Sequence, residues 1–442
     1  MDLAERRLVD RRRVRARRWF AAALVALGLL VSGCGGSSSA NKRRHPPIAS
    51  TQAQQKRQAP PTGPTVTAAS DCDSVSSCYT PRQLETAYGI RPLLARGIDG
   101  HGETVVLPEI AEGLFPPSDY SDLRADMARY DQLFALMVHV AAPGAAITII
   151  LVPPSSLNDA NSGVLAAVDA LRLGVREGAV ISISAAGQTG GEHCDTPSEV
   201  KMLNAALVEA ADQRVTVVAA SGDIGAVGEP CYLAAGLLGG SFTPVKEANL
   251  PASGPLVLTA GGTTLTAGHT TGRYIRETGW GLPYGTAGTQ FQASGGGFSH
   301  LFARPSYQSG LPAAGSGRGV PDVASDAAPH TGLALVISIG GDGYMIRSSG
   351  GTSAAAPLWA GVIALADQYA RRHLGFVNAA IYRIAQTSNS AFHQITTGNN
   401  IASFPPHTII GYQAAHGWDP VTGWGSPNAS VLVPLLARYS QS

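Results

Sequence analysis

The chain has 442 residues, 44% of them hydrophobic and only 14% charged, with a formal net charge of +1, 52 Gly, 29 Pro and five Cys. A disordered chain of this length would carry more charge and fewer Val, Leu and Ile, and a collagen-like chain would repeat glycine at a fixed period; both are excluded. Near-zero net charge and 6% aromatic residues leave neither the electrostatic footprint nor the stacking platforms of a nucleic-acid binder, so no nucleic-acid partner is expected.

Residues 1–33 have the layout of a signal peptide. Eight arginines (Arg6, Arg7, Arg11, Arg12, Arg13, Arg15, Arg17 and Arg18) precede an uncharged apolar run from Trp19 to Val31, too short to span a bilayer comfortably. The run ends in Val31-Ser32-Gly33-Cys34, which resembles a bacterial lipobox. That likeness implies cleavage before Cys34, acylation of its sulfur and display on the outer face of a membrane, with an ordinary secreted signal as the alternative. Cleavage would remove those arginines and only three acids, Asp2, Glu5 and Asp10, so the mature chain would be net acidic.

Residues 34–71 are Ser, Gln, Pro, Lys and Arg with few large apolar side chains, the composition of a disordered tether. Beyond Cys34, the even set Cys72, Cys78, Cys194 and Cys231 suggests two disulfides in an oxidising compartment, most simply Cys72–Cys78 and Cys194–Cys231, although other pairings are open. Zinc is the weaker reading, since no CxxC or HExxH is present.

From residue 72 onward the chain reads as one α/β domain. Apolar runs of strand length occur at Thr104–Leu107, Ile147–Val152, Ala179–Ser184, Val215–Ala220, Leu256–Ala260 and Leu333–Ile337, without the alternation of a half-exposed strand. Helical stretches lie between or after them, at Asp122–Val140, Val164–Arg176, Glu199–Ala211 and Ser353–Arg371. This order predicts a mostly parallel sheet flanked by helices. Gly295-Gly296-Gly297 lacks the phase and the following Lys-Ser/Thr of a phosphate loop.

The strongest local motif is Gly350-Gly351-Thr352-Ser353-Ala354-Ala355-Ala356-Pro357 running into an apolar helix. It places Ser353 at a helix N-terminus, where free N–H groups favour a nearby anion. A nucleophilic serine and a capping serine would look alike here.

Several ordered strings resemble the sedolisin family, serine-carboxyl peptidases with a subtilisin-like fold, over about residues 79–430. They are Tyr79–Leu84 with Tyr88-Gly89-Ile90, Ala142-Pro143-Gly144-Ala145, Val217–Asp223, Pro251-Ala252-Ser253 with Gly261–Thr264, Ser294–Ser299, Gly319–Val323 and Gly417–Gly423. The resemblance implies serine-type endopeptidase chemistry. Ser353 attacks the peptide carbonyl, Asp223 donates a hydrogen bond to the oxyanion, and a Glu and an Asp four residues apart on one helix serve as base and support. A carboxylate base suits acidic pH, where a His would be protonated.

Counting back from Ala142 to Ala145, with His139 in register, puts Tyr130 where the Glu is expected and Phe134 where the Asp is expected. Neither is a base at acidic pH. Asp122, Asp126 and Asp131 are the substitutes nearby, though a solvated helix face explains them as well. Glu109, at the end of the Thr104 strand, matches a position that supports the catalytic network. His101 and His139 are expected to be structural or at the surface, and Ala185 stands where the family often has Trp.

The resemblance also implies a calcium ion held by Asp419, by carbonyls of Ile395, Ala415 and Gly417, and by a second Asp, which here is Gln394. One formal charge fewer weakens such a site. The family's large N-terminal pro-domain has no counterpart, since only the tether precedes Tyr79. The expectation is therefore a sedolisin-like peptidase domain at residues 72–442, monomeric and degenerate in its acid pair, with peptides or proteins as cleft partners. The alternative is a non-catalytic, peptide-binding surface lipoprotein, its cleft edged by Ser294–Phe298 and Ile183–Ala185.

Overall fold

The computed structural model describes residues 78–110, 133–152, 162–184, 190–231, 243–281, 292–311, 315–338, 344–404 and 407–440, all within the unit Thr62–Ser442. Its centre is a seven-stranded sheet. In chain order the first six strands are β1 (Thr104–Ile110), β2 (Ala146–Val152), β3 (Val180–Ile183), β4 (Thr216–Ala220), β5 (Val257–Ala267) and β6 (Tyr274–Gly279). They lie in the order β2-β1-β3-β4-β5-β6, and strand Val323–Asp326 pairs with β5 off this path. β1 to β5 run parallel and β6 is antiparallel. The mostly parallel sheet flanked by helices is the one expected.

The unbroken apolar runs follow from burial on both faces. Along β4, Val217 and Ala219 join one core cluster with Val164, Leu171, Leu203 and Leu207 of the helices Ser162–Gly174 and Pro197–Asp212. Val218 and Ala220 point the other way, into a cluster with Leu358, Trp359, Val362 and Ile363 of the helix Thr352–Ala370. Alternation of side chains along a strand thus sends Val217, Val218, Ala219 and Ala220 of β4 into apolar layers on its two faces.

Local signals set the helix starts. Thr80 and Gln83 form a capping box before Pro81–Ala87, and Thr196 and Glu199 form another before Pro197–Asp212, each with Pro in the first turn. One expected element is placed differently. Leu333–Ser338 is not in the central sheet; it forms an antiparallel ribbon with Tyr344–Ser349. Of the expected helix Asp122–Val140, residues 133–141 are helical and the earlier part lies outside the described residues. Among the described residues no helix is long and apolar enough to cross a membrane.

Candidate active site

The site lies where β3 and β4 end, at the carboxyl edge of the parallel strands, and where the helix Thr352–Ala370 begins. Gly351 N-caps that helix at φ 90°, a left-handed conformation that favours glycine. A Cβ at Gly351 would also come within 2.7 Å of Asp223 Oδ2. The turn is fixed by Gly351 N–H donating to Ala327 O at 2.6 Å.

Ser353 is the second residue of the helix and is partly buried. Its hydroxyl donates to Ser184 O at 3.2 Å, and the Ser184 hydroxyl donates to Ser353 O at 3.0 Å. It does not cap the helix through its side chain. Among the described residues, no carboxylate or imidazole hydrogen-bonds its Oγ.

Asp223 follows β4. Its Oδ1 accepts from Thr352 N at 2.7 Å and from Thr352 Oγ1 at 2.8 Å, while Oδ2 faces Gly351. Desolvation raises the Asp223 carboxyl above the usual carboxylate range, against the bonds from Thr352 that lower it. A neutral carboxyl there can donate a hydrogen bond to an oxyanion.

A further layer holds Asp223, and its residues went unread in the sequence. Asp223 N–H donates to Glu229 Oε1 at 3.0 Å, Glu229 N–H to Asn249 Oδ1 at 2.7 Å, and Asn249 Nδ2 to Ser221 O at 2.9 Å. Burial pushes Glu229 up to about 7, opposed by the bond from Asp223 and assisted by its charge. No local motif announces this network, because Asn249 meets Ser221 across 28 residues of sequence. Thr352 was visible only as part of the Gly-Gly-Thr-Ser string.

The expected acid pair is not assembled from the described residues. Phe134 is buried in the main core cluster beside Leu133, Met137 and Val138, where a carboxylate would be expensive. Tyr130, Asp122, Asp126, Asp131 and Ala185 lie outside the described residues. Glu109 is at the end of β1, in register with Leu151, and its side chain lies outside them too. His101 and His139 are exposed, and His139 Nε2 hydrogen-bonds Ala145 O at 3.2 Å. The Ser294–Phe298 edge is tied into the fold: Gly295 N–H donates to Gly222 O at 2.7 Å, and Gly296 O accepts from Asn400 Nδ2 at 3.3 Å.

The donors around Asp419 do not fit a calcium ion. Its Oδ1 accepts from the N–H groups of Val421 and Thr422, and its Oδ2 from Ala415 N–H and the Thr422 hydroxyl. Those four donors occupy the roughly four lone-pair sites of a carboxylate. Gln394 joins the loop as an amide does: Oε1 accepts from Gly417 N–H at 2.9 Å, and Nε2 donates to Trp424 O at 3.2 Å. Protein donors thus take up the side-chain oxygens of Asp419 and Gln394, the two side chains that the resemblance places about a cation with the carbonyls of Ile395, Ala415 and Gly417. The expected result of adding a strong chelator is an unchanged unfolding temperature, and adding calcium should not raise it either. A fall of many degrees on chelation would overturn this reading.

Cys194 and Cys231 form a disulfide, with Cα atoms 5.2 Å apart. Cys78 is also disulfide-bonded, and Cys72 lies outside the described residues.

No protein-family model matches the chain. Kumamolisin of Bacillus sp. (strain MN-32) is 33% identical over 399 residues, which are 83% of this chain and 65% of that protein. Sedolisin of Pseudomonas sp. (strain 101) is 37% identical over 184 residues, 41% of this chain and 29% of that protein, and xanthomonalisin of Xanthomonas sp. (strain T-22) is 34% identical over 260, 55% and 29%. The chain therefore spans at most about two thirds of these curated relatives. Among solved structures, Pseudomonas sedolisin, a serine-carboxyl proteinase complexed with pseudo-iodotyrostatin, superimposes with a TM-score of 0.62 at 24% identity, covering 83% of this chain and 99% of that one. The serine at the glycine turn, the aspartate after β4 and these relatives lead to one assignment: the chain belongs to the sedolisin family.

Proposed function

We propose that the protein is a sedolisin-type serine peptidase domain that keeps Ser353 and Asp223 but has lost the carboxylate pair, so that peptide hydrolysis is absent or feeble and the cleft holds peptides without turning them over. The observation that carries this reading is Phe134, buried in the core at the register of the supporting Asp, together with a Ser353 hydroxyl that, among the described residues, is bonded to a carbonyl and to no base. A serine whose proton is held by a carbonyl, which cannot take it as a base does, is a weak nucleophile at its free pKa. Asp223 and Thr352 would still present a hydrogen-bond donor to a bound carbonyl.

Cys34 and the tether fit this reading as a membrane anchor. Lipidation would display the domain on the extracytoplasmic side of a bacterial membrane, where extended peptides are available.

The test is incubation of the mature chain with casein and a mixed peptide library across about pH 3–7, where carboxylate bases titrate, beside Ser353→Ala. The expected result is no hydrolysis above the variant's background, with saturable peptide binding in both. Cleavage that disappears in Ser353→Ala would overturn the proposal and point to Glu109 or an acid near residue 130 as the base. Ser353→Ala should cost no more than about 1 kcal/mol of stability, the net worth of one hydrogen bond.

A further inference from the structure

Beside the active-site strand end, three groups that can ligate a metal converge on one point. His193 Nε2 lies 3.2 Å from Cys231 Sγ and 3.8 Å from Cys194 Sγ. The potential ligand atoms of His193, Cys194 and Cys231 all lie within 4.8 Å of one another. His193 is exposed enough for an ion to reach it, with 37% of its side-chain surface accessible.

The other ring nitrogen is anchored. His193 Nδ1 hydrogen-bonds Glu247 Oε1, and the Glu247 side chain is only 3% exposed. Room for that carboxylate is made by Gly191 and Gly228, since a Cβ at either would come within 2.2 Å of Glu247 Oε1. A carboxylate accepting from Nδ1–H fixes the tautomer with its lone pair on Nε2. That lone pair faces two sulfurs which, as a disulfide, have no proton to give it. A carboxylate–histidine pair aimed at two cysteines is the outer-shell arrangement that orients a metal-bound imidazole.

We infer that reduction of Cys194–Cys231 unmasks a zinc site made of His193 Nε2, Cys194 Sγ and Cys231 Sγ, with Glu247 holding the imidazole. A dithiol reductant supplies two electrons and two protons: the S–S bond breaks, two thiols form, and the reductant leaves as its own disulfide. Zn²⁺ then displaces the two thiol protons to solvent as two Zn–S bonds form, and His193 contributes its lone pair while keeping Nδ1–H on Glu247. Two thiolates and one imidazole suit zinc and leave its fourth position open. The ion would join the same two segments that the disulfide joins. Those segments border the Asp223 support, for Gly191 N–H donates to Glu229 O at 2.8 Å. This inference is independent of whether Ser353 turns over peptides.

The experiment uses the mature chain with Cys72 and Cys78 replaced by Ser and starting after Cys34, reduced with a phosphine that leaves no competing thiol. Co²⁺ is the probe, because thiolate ligands give it a charge-transfer band in the near ultraviolet and tetrahedral sites give intense visible bands. The reduced protein is expected to bind one equivalent with both signatures and to release it to Zn²⁺; the oxidised protein should show neither. Cys194→Ser and Cys231→Ser should weaken the thiolate band, His193→Ala should abolish tetrahedral binding, and Glu247→Gln should weaken affinity about 10–100-fold. Circular dichroism follows the fold throughout. A reduced chain that unfolds and regains structure with one equivalent of Zn²⁺ supports the site, whereas one that stays unfolded with Zn²⁺ overturns it. No thiolate band in folded reduced protein, or unchanged binding in His193→Ala, also overturns it.

Discussion

Asp322→Ala is expected to lose about 3–5 kcal/mol of stability, the cost of stranding one member of a buried ion pair. Asp322 and Arg318 are both fully buried, and Arg318 Nη2 donates to Asp322 Oδ2 at 2.8 Å. The guanidinium also donates to the carbonyls of Gly254, Gly319 and Val257. Asp322 in turn accepts from Thr259 N–H, the Tyr382 hydroxyl and Asn378 Nδ2. The pair therefore joins strand β5 to the Val323 strand and to the helix Asn378–Thr387. Losing the carboxylate leaves a buried cation without its counter-charge and strips Thr259 N–H and the Tyr382 hydroxyl of their acceptor, while Asn378 Nδ2 keeps Val257 O. Urea unfolding measures the loss. Arg318→Met should be comparably costly, and the double variant should cost less than the two singles added together, because once one partner is gone the other no longer has a pair to lose. A loss below about 1 kcal/mol in Asp322→Ala, or strict additivity in the double variant, would remove the ion pair from the account.

This pair shows what the amino-acid sequence makes legible and what it hides. Gly319–Val323 was readable as a family string, but nothing in it says that Asp322 anchors a buried arginine. The strands of the sheet were readable because β3 and β4 are apolar on both faces, which a buried parallel strand requires. Leu333–Ile337 has the same apolar character and pairs instead as a separate ribbon, since a short apolar run does not specify its partner. At the site, Ser353 was visible because the Gly-Gly turn and the helix start are contiguous. Glu229 and Asn249 were not, nor was the part Thr352 plays beyond its place in that string, because their bonds to the Ser221–Asp223 turn arise only when distant segments meet. The same holds for Glu247, which reaches His193 across 54 residues.

Thermal stability is expected to be highest in acid and to fall as pH rises from about 5 to 8, because several buried carboxyls titrate late in the folded chain. Burial pushes Asp326 and Asp367 up to about 8 and Glu229 up to about 7, and it raises Glu277 and Asp223 as well. Asp326 Oδ1 accepts from the Thr331 hydroxyl and Leu265 N–H, and the nearby Glu277 carboxyl raises it further. The Tyr88 hydroxyl links the two residues, donating to Glu277 Oε1 and accepting from Asp326 N–H. Asp367 Oδ1 accepts from Leu374 N–H, with Glu103 raising it and Arg372 lowering it. Oδ2 of each is buried with no hydrogen-bond partner, which makes the ionised form costly. In the unfolded chain these groups ionise near 4. Between that value and the folded one, the folded state holds more protons than the unfolded state. Their contribution is therefore fully present below about pH 4 and is lost as pH rises through 7 to 8. A net effect equal to one such group, about 1.4 kcal/mol per pH unit, should lower Tm by ~2 °C per unit in a domain of this size. Asp326→Asn and Asp367→Asn, which mimic the neutral form, should each flatten the slope and raise Tm at pH 8 relative to pH 5. A Tm that is level or climbs between pH 5 and 8 in the parent chain, or an unchanged slope in both variants, would show that these carboxyls ionise in the folded state as freely as in the unfolded one.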